Sequence, residues 1–298
     1  MNDAQPLRAA AWMAGAISSF SLMAVAGRAV SLDHDTFEIL FYRSIVSFLI
    51  VLAVGSATGA ISQVSTRNLR LHLVRNLCHF TGQNLWFFAL ALIPLAQVIA
   101  LEFTSPIWVA LLAPLVLGER LTRRSALAAL VGFAGVLIVV RPQVGGLSPA
   151  MLAAAASAIG FAGSALFTRK LTRDATITCI MFWLTLMQAV MGLICAGIDG
   201  DIAIPSAAAL PWLALIGLTG LSAHFCLSSA LALAPAGIVM PMDFLRLPVL
   251  AVIGLLVYGE PLDTLVILGA AVIFAANWMN LRPARLPQGV ETARSGAK

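Results

Sequence analysis

Read along the chain, the apolar residues come in long blocks, with neither strict alternation nor narrow amphipathic stripes. Ten Ala/Leu/Val/Ile-rich blocks follow one another with little between them: 9–28, 36–55, 71–93, 94–117, 122–140, 148–168, 176–198, 208–233, 235–257 and 264–281. About 20 apolar residues cross a hydrocarbon core as a helix. No block shows the ten-residue alternation of an outer-membrane strand, and a helix satisfies its own backbone hydrogen bonds in lipid. The pattern predicts an all-α integral membrane protein with ten transmembrane helices.

Composition sharpens this. Of 298 residues, 60% are hydrophobic and only 10% charged, with a mean hydropathy of +0.97. A soluble domain carries roughly 25% charge, so a water-facing surface is excluded. Ala24-Val25-Ala26 has the look of a signal-peptidase site, but Arg8 is the single basic residue before it and nine further blocks follow. The first block is therefore read as a span. Cys78, Cys179, Cys195 and Cys226 all fall inside apolar blocks without metal-ligand spacing, and read as small packing residues.

The net charge of +5 invites a nucleic-acid reading, which its distribution removes. With a cytoplasmic N-terminus, the inner side collects Arg8, Arg67, Arg70, Arg120, Arg123, Arg124, Arg169, Lys170, Arg173, Arg282, Arg285, Arg294 and Lys298. The outer side holds Arg141, with Arg28 at a helix edge, beside Asp33, Asp35, Glu38, Asp199, Asp201, Glu260 and Asp263. This is a positive-inside asymmetry. It predicts an even number of spans, both termini cytoplasmic, and residence in a bacterial inner membrane.

The chain is also written twice. Residues 90–142 align without a gap on 231–283, with about a third of positions identical. Pro94 meets Pro235, Phe103 meets Phe244, Gly118-Glu119 meets Gly259-Glu260, Arg141-Pro142 meets Arg282-Pro283, and Glu102 meets Asp243. The repeat predicts two units, 9–141 and 148–282, of five spans each. Five is odd, so the second unit enters the membrane from the opposite side. Inverted repeats with a midplane site are a transporter architecture.

At this point the chain resembles the EamA family of the drug/metabolite transporter superfamily. The resemblance is carried by "FYRS" (41–44), "FFALALIPLA" (87–96), "TSPIWVALLAPLVLGERLT" (104–122) and "RP" (141–142), and again by "ALALAPAG" (230–237), "GLLVYGE" (254–260) and "RP" (282–283). Two departures stand out. Pro261 occupies the position of Arg120, and Arg246 that of Ser105. The resemblance implies secondary transport of a small metabolite by alternating access. Family members move amino acids, nucleobases, riboflavin, S-adenosylmethionine or metal-chelating metabolites, many of them outward.

Candidate binding residues follow from the cost of polar groups in lipid. Glu102 and Asp243 are expected to straddle the midplane, roughly 5 Å to either side by helical rise, and to bind a cation or carry a proton. Asp243 has Arg246 three residues on, on the same helix face, which offers simple neutralisation instead. Arg75, His79 and Gln83 form a stripe at i, i+4, i+8, with Asn76 and Asn84 beside it. His79, and its rough counterpart His224, read either as titrating groups or as neutral packing residues; Arg75 reads as snorkelling. Arg43 lies too deep to snorkel and needs a partner, for which Glu102 is the expectation. Trp86, Phe87, Phe88, Trp108 and Phe244 offer rings for stacking or for packing. Gly118 and Gly259 read as helix C-caps, with Glu119 and Glu260 as loop or gate residues. Gly132, Gly135, Gly160, Gly163 and Gly269 read as close-packing positions.

These readings favour a secondary transporter of a small polar or amphipathic metabolite, an exporter with proton coupling, over an importer, a membrane-embedded enzyme or a scaffold. No P-loop or HExxH motif occurs. The expected partners are a small-molecule substrate, the bilayer and, as a candidate, a second copy in a homodimer. No nucleic acid, cofactor or metal is expected.

Overall fold

The computed structural model describes residues 5–118, 122–141, 148–198, 200–233, 239 and 242–281. Their regular structure is all helical, with no strand among the described residues. In chain order the helices are α1 (Pro6–Val30), α2 (Thr36–Ala57), α3 (Leu69–Leu92), α4 (Leu95–Glu102), α5 (Ser105–Leu117), α6 (Arg123–Val140), α7 (Pro149–Leu171), α8 (Ile177–Ala196), α9 (Leu210–Leu233), α10 (Arg246–Tyr258) and α11 (Thr264–Leu281). A 3₁₀ turn, Ala60–Gln63, follows α2.

Among the described residues, seven segments are long and apolar enough to cross a membrane, with α4 and α5 together forming one of them, Leu95–Leu117. α3 has the length, but its polar stripe dilutes its hydropathy. α10 and α11 contribute shorter apolar stretches, Arg246–Tyr258 and Thr264–Met279. Large apolar side chains such as Leu115, Leu130, Ile194, Phe225 and Leu256 point outward, as the lipid-facing surface of such a bundle requires.

Four helix associations dominate the packing: α1 with α9, α3 with α7, α2 with α8, and α6 with α11. Glycines set how closely they approach. A Cβ on Gly160 would lie 2.7 Å from the Cα of Gly82 and 2.8 Å from the Cys78 carbonyl across the α3–α7 contact. One on Gly135 would lie 2.9 Å from the carbonyl of Gly269 across α6–α11. Backbones that touch in this way gain dispersion and exclude lipid. The cysteines pack as expected: the Cys78 sulfur sits against Gly163 and that of Cys226 against Gly15.

The fourth apolar block, read as one continuous helix, is in fact broken. α4 ends at Glu102, Phe103-Thr104 form a turn, and α5 begins at Ser105. Pro106 has no N–H, so the Glu102 carbonyl loses its helical donor. The freed groups are met locally. The Thr104 hydroxyl donates to the Leu101 carbonyl at 2.8 Å, and the Asn277 amide of α11 donates to the Phe103 carbonyl at 2.7 Å. The second copy repeats the break at matched positions. Met242 and Asp243 are helical, Phe244-Leu245 form a turn, and α10 starts at Arg246 with Pro248 in its first turn. Both segments end alike, with Gly118 at φ 71° and Gly259 at φ 64°, left-handed caps that suit glycine.

Candidate binding site at the helix breaks

Each break ends in an acid. The two acids, expected to either side of the midplane, share one guanidinium. Arg246 Nη2 donates to Glu102 Oε1 at 2.8 Å and to Asp243 Oδ2 at 3.1 Å. The side chains are nearly enclosed, at 4% exposure for Arg246, 15% for Glu102 and 13% for Asp243. Glu102 also accepts from the Trp86 indole N–H at 2.8 Å. Arg246 lies over the rings of Phe20, at 4.8 Å, and Phe103, at 5.1 Å. The neutralisation expected for Asp243 thus extends to Glu102 and joins the two halves of the chain.

The expectation that Arg43 pairs with Glu102 is overturned, because Arg246 and Trp86 occupy Glu102. Arg43 is buried at 5% exposure on α2, and its Nε and Nη1 have no hydrogen-bond partner among the described residues. Arg75 does not snorkel. It is buried, with Nε donating to the Thr168 hydroxyl at 3.1 Å and Nη1 to Asn76 Oδ1 at 2.8 Å.

His79 and His224 face each other edge to face at 5.8 Å between ring centroids. Phe20 covers His224 at 5.7 Å and Phe161 covers His79 at 5.9 Å. His79 Nε2 and Gln83 Oε1 are buried without a partner among the described residues. The structure therefore gathers Arg43, His79, Gln83, His224, Glu102, Asp243 and Arg246 around the bundle interior. Trp108 does not join them. It packs on Phe133 at 5.4 Å in an apolar recess between α5, α6 and α7 that it shares with Thr104, Ile107 and Ile159. Phe20 has no signal in the sequence beyond its apolar block. The breaks had one, in Pro106 and Pro248, which follow each acid by four and five residues.

The bundle end that holds the α1–α2 turn is tied by charges. Glu260 receives Arg28 and, at 2.9 Å, the Leu95 N–H that opens α4. Arg28 also reaches the carbonyls of Leu90, at 2.8 Å, and Ile93, and lies 5.0 Å over the Tyr258 ring. Arg141 pairs with Asp263. Slight burial pushes the Asp263 carboxyl up, but the bond from Arg141 and the amides of Leu265 and Val266 outweigh it and hold the group below the usual carboxylate range. The reading of Glu260 as a loop hydrogen-bonding residue fits; Glu119 lies outside the described residues. Glu260→Ala is expected to cost about 1.5–3 kcal/mol, the worth of charged hydrogen bonds to a part-buried acid, measured by thermal unfolding in detergent. Gly254→Ala should cost a similar amount, because its Cβ would take the place of the Glu260 carboxylate.

Apolar helices with a polar, charge-paired interior define a polytopic membrane protein. A family model described as "EamA-like transporter family" matches residues 7–141 and again 148–282, and the chain belongs to this family. A "Riboflavin transporter" of Rhizobium johnstonii is 32% identical over 93% of this chain and 93% of that protein. One of Vibrio cholerae is 28% identical over 90% and 91%. An "S-adenosylmethionine uptake transporter" of Rickettsia bellii is 24% identical over 89% and 90%. A solved crystal structure at 20% identity, covering 91% of this chain and 96% of that one with a TM-score of 0.62, has the same fold.

Proposed function

We propose that the protein carries a small, flat, polar metabolite of the riboflavin kind across the bacterial inner membrane by alternating access, with the substrate held among Arg43, His79, Gln83, His224 and Arg246. Riboflavin and S-adenosylmethionine, named for the relatives, share a planar heteroaromatic ring with a polar arm. Uptake is preferred to export because the relatives whose names state a direction state uptake.

The working architecture is ten spans in two inverted repeats: α1, α2, α3, α4–α5 and α6, then α7, α8, α9, the segment ending in α10, and α11. The helix associations support it. Exchanging the two repeats turns the α1–α9 contact into α7–α3, and leaves α2–α8 and α6–α11 as self-paired contacts. The positive-inside count puts the Glu260 end outside, with both termini cytoplasmic.

The observation that carries the mechanism is Arg246 bridging the two acids at the two breaks. A proton taken by the Glu102 carboxylate removes one arm of that bridge. The repeats then separate at the break, and return of the proton on the other side restores the bridge. Proton movement and repeat movement are thereby linked. The check is Glu102→Gln in proteoliposomes, with riboflavin counterflow and pH-gradient-driven flux measured separately. Counterflow should persist while the pH-driven component falls at least about tenfold, the scale of one lost coupling step. An unchanged pH-driven flux would show that Glu102 carries no proton.

A further inference from the structure

We infer that Arg43 anchors the carbonyl-bearing edge of the substrate ring, so that the site selects planar imides that keep their N–H and rejects cationic nucleoside derivatives. The inference rests on the transport reading above and adds the recognition chemistry.

A buried guanidinium without a counter-charge is expensive. Arg43 is one, and its position is enforced. A Cβ on Gly217 of α9 would lie 2.8 Å from the Arg43 carbonyl, and the Ser47 hydroxyl, one turn along, donates to the Gly217 carbonyl at 2.9 Å. α9 thus packs directly on the Arg43 backbone. The guanidinium carbon lies 3.9 Å from where a Cβ on Gly220 would sit. No acid among the described residues pairs with it: at mid-bundle Glu102 and Asp243 both bond Arg246, and Asp243 keeps only its buried Oδ1 unmet.

Gly220 precedes His224 by one turn of α9, and Gln83 follows His79 by one turn of α3. α3 ends and α9 begins at the Glu260 end of the bundle: Arg28 grips the Leu90 carbonyl at the end of α3, and Ala203, just before α9, accepts from Tyr42 of α2 at 2.9 Å. Arg43 and Gln83 therefore stand on the same side of the His79–His224 pair, each about 6 Å above a histidine by helical rise. Arg43 offers unmet donors and Gln83 an unmet acceptor. An imide edge, carbonyl–N–H–carbonyl, supplies the complement of both. The rings of Phe20, His79, His224 and Phe161 supply flat apolar surface below it.

Charge sets the selectivity. Arg43, Arg75 and Arg246 stand around the His79–His224 pair against the two acids Glu102 and Asp243, an excess of one positive charge at mid-bundle, since the buried Glu38 is held at the Ala203 end by His34 and the Ala203 N–H. A sulfonium or ammonium placed here would be repelled, and like-charge juxtaposition is an effective way to exclude a partner.

The test is quenching of riboflavin fluorescence on the full chain in lipid nanodiscs. Arg43→Gln should weaken binding about 10- to 100-fold, the loss of a charged hydrogen bond, with Arg43→Lys between it and the native protein. Riboflavin methylated at the imide nitrogen should bind the native protein at least about tenfold more weakly, and Gln83→Leu should abolish that difference. Excess S-adenosylmethionine should displace none of it. Riboflavin binding at native affinity by a monodisperse Arg43→Gln protein would overturn the inference and leave the transport reading intact. Should that variant fail to fold, equal binding of riboflavin and its N-methyl derivative by the native protein overturns it instead. A native protein that binds no riboflavin removes the transport reading, and the inference with it.

Discussion

Arg246→Met is expected to destabilise the bundle by about 3–5 kcal/mol and to abolish transport. One guanidinium satisfies an acid from each half of the chain, and the three side chains are nearly enclosed. Removing it leaves two adjacent buried carboxylates without a cation, and breaking a buried pair from one side costs about that much. The triple variant Glu102→Gln, Asp243→Asn, Arg246→Met removes all three charges together. It should recover most of the stability, because neutral replacements of a buried ionic cluster are often well tolerated, yet it should not transport. Denaturant or thermal unfolding in detergent, with flux in proteoliposomes, checks both variants. A single Arg246→Met protein as stable as the native one would mean that the bridge contributes nothing to the fold.

Gly160→Leu comes next in size. Its Cβ would lie 2.7 to 2.9 Å from three atoms of the α3 backbone, the Cα and N of Gly82 and the carbonyl of Cys78. A backbone cannot rotate aside as a side chain can, so α3 and α7 must separate. Overpacking ordinarily costs about 1–3 kcal/mol, and a whole leucine against backbone should cost at least the upper figure. Gly82 adjoins Gln83, and His79 lies three residues before it. The same displacement should therefore weaken riboflavin binding. Gly163→Ala is the control. Its Cβ would meet the Cys78 sulfur at 3.1 Å, a side-chain atom that can give way, and the loss should be far smaller. Unfolding of both variants in detergent measures the difference, and equal losses would refute the backbone-contact account.

Much of this protein is legible in one dimension because lipid imposes a one-dimensional rule. Each crossing needs a run of apolar residues of fixed length, so α1, α2, α6, α7, α8 and α9 stand within a few residues of their apolar blocks. The internal repeat is equally plain, since Gly118 and Gly259 recur at matched positions and cap their helices in the same left-handed conformation. The interruption of the fourth block was present as Pro106, but a proline near a polar residue in an apolar run is compatible with either a kink or a break. Carbonyls freed by a break need donors, and here Thr104 and the distant Asn277 supply them. A residue on α11 thus helps to fix the geometry in the middle of the fourth block.

The site divides in the same way. That Glu102, Asp243, Arg246, Arg43, His79, Gln83 and His224 could not face lipid followed from their chemistry alone, because burying a polar group without a partner in hydrocarbon costs several kcal/mol. Which of them meet did not follow. Arg43 and Glu102 looked like natural partners, yet Glu102 is bound to Trp86 and Arg246, and Arg43 lies against α9 with donors unmet. Trp108 shared a segment with Glu102 and turned away to Phe133. The sequence by itself determined the membrane class, the repeat and the roster of buried polar residues, since each depends on the transfer cost of single residues or on local spacing. The tertiary structure alone decided the pairing, because hydrogen bonds and ion pairs act over about 3 Å and depend on how helices far apart in the chain rotate and break against one another.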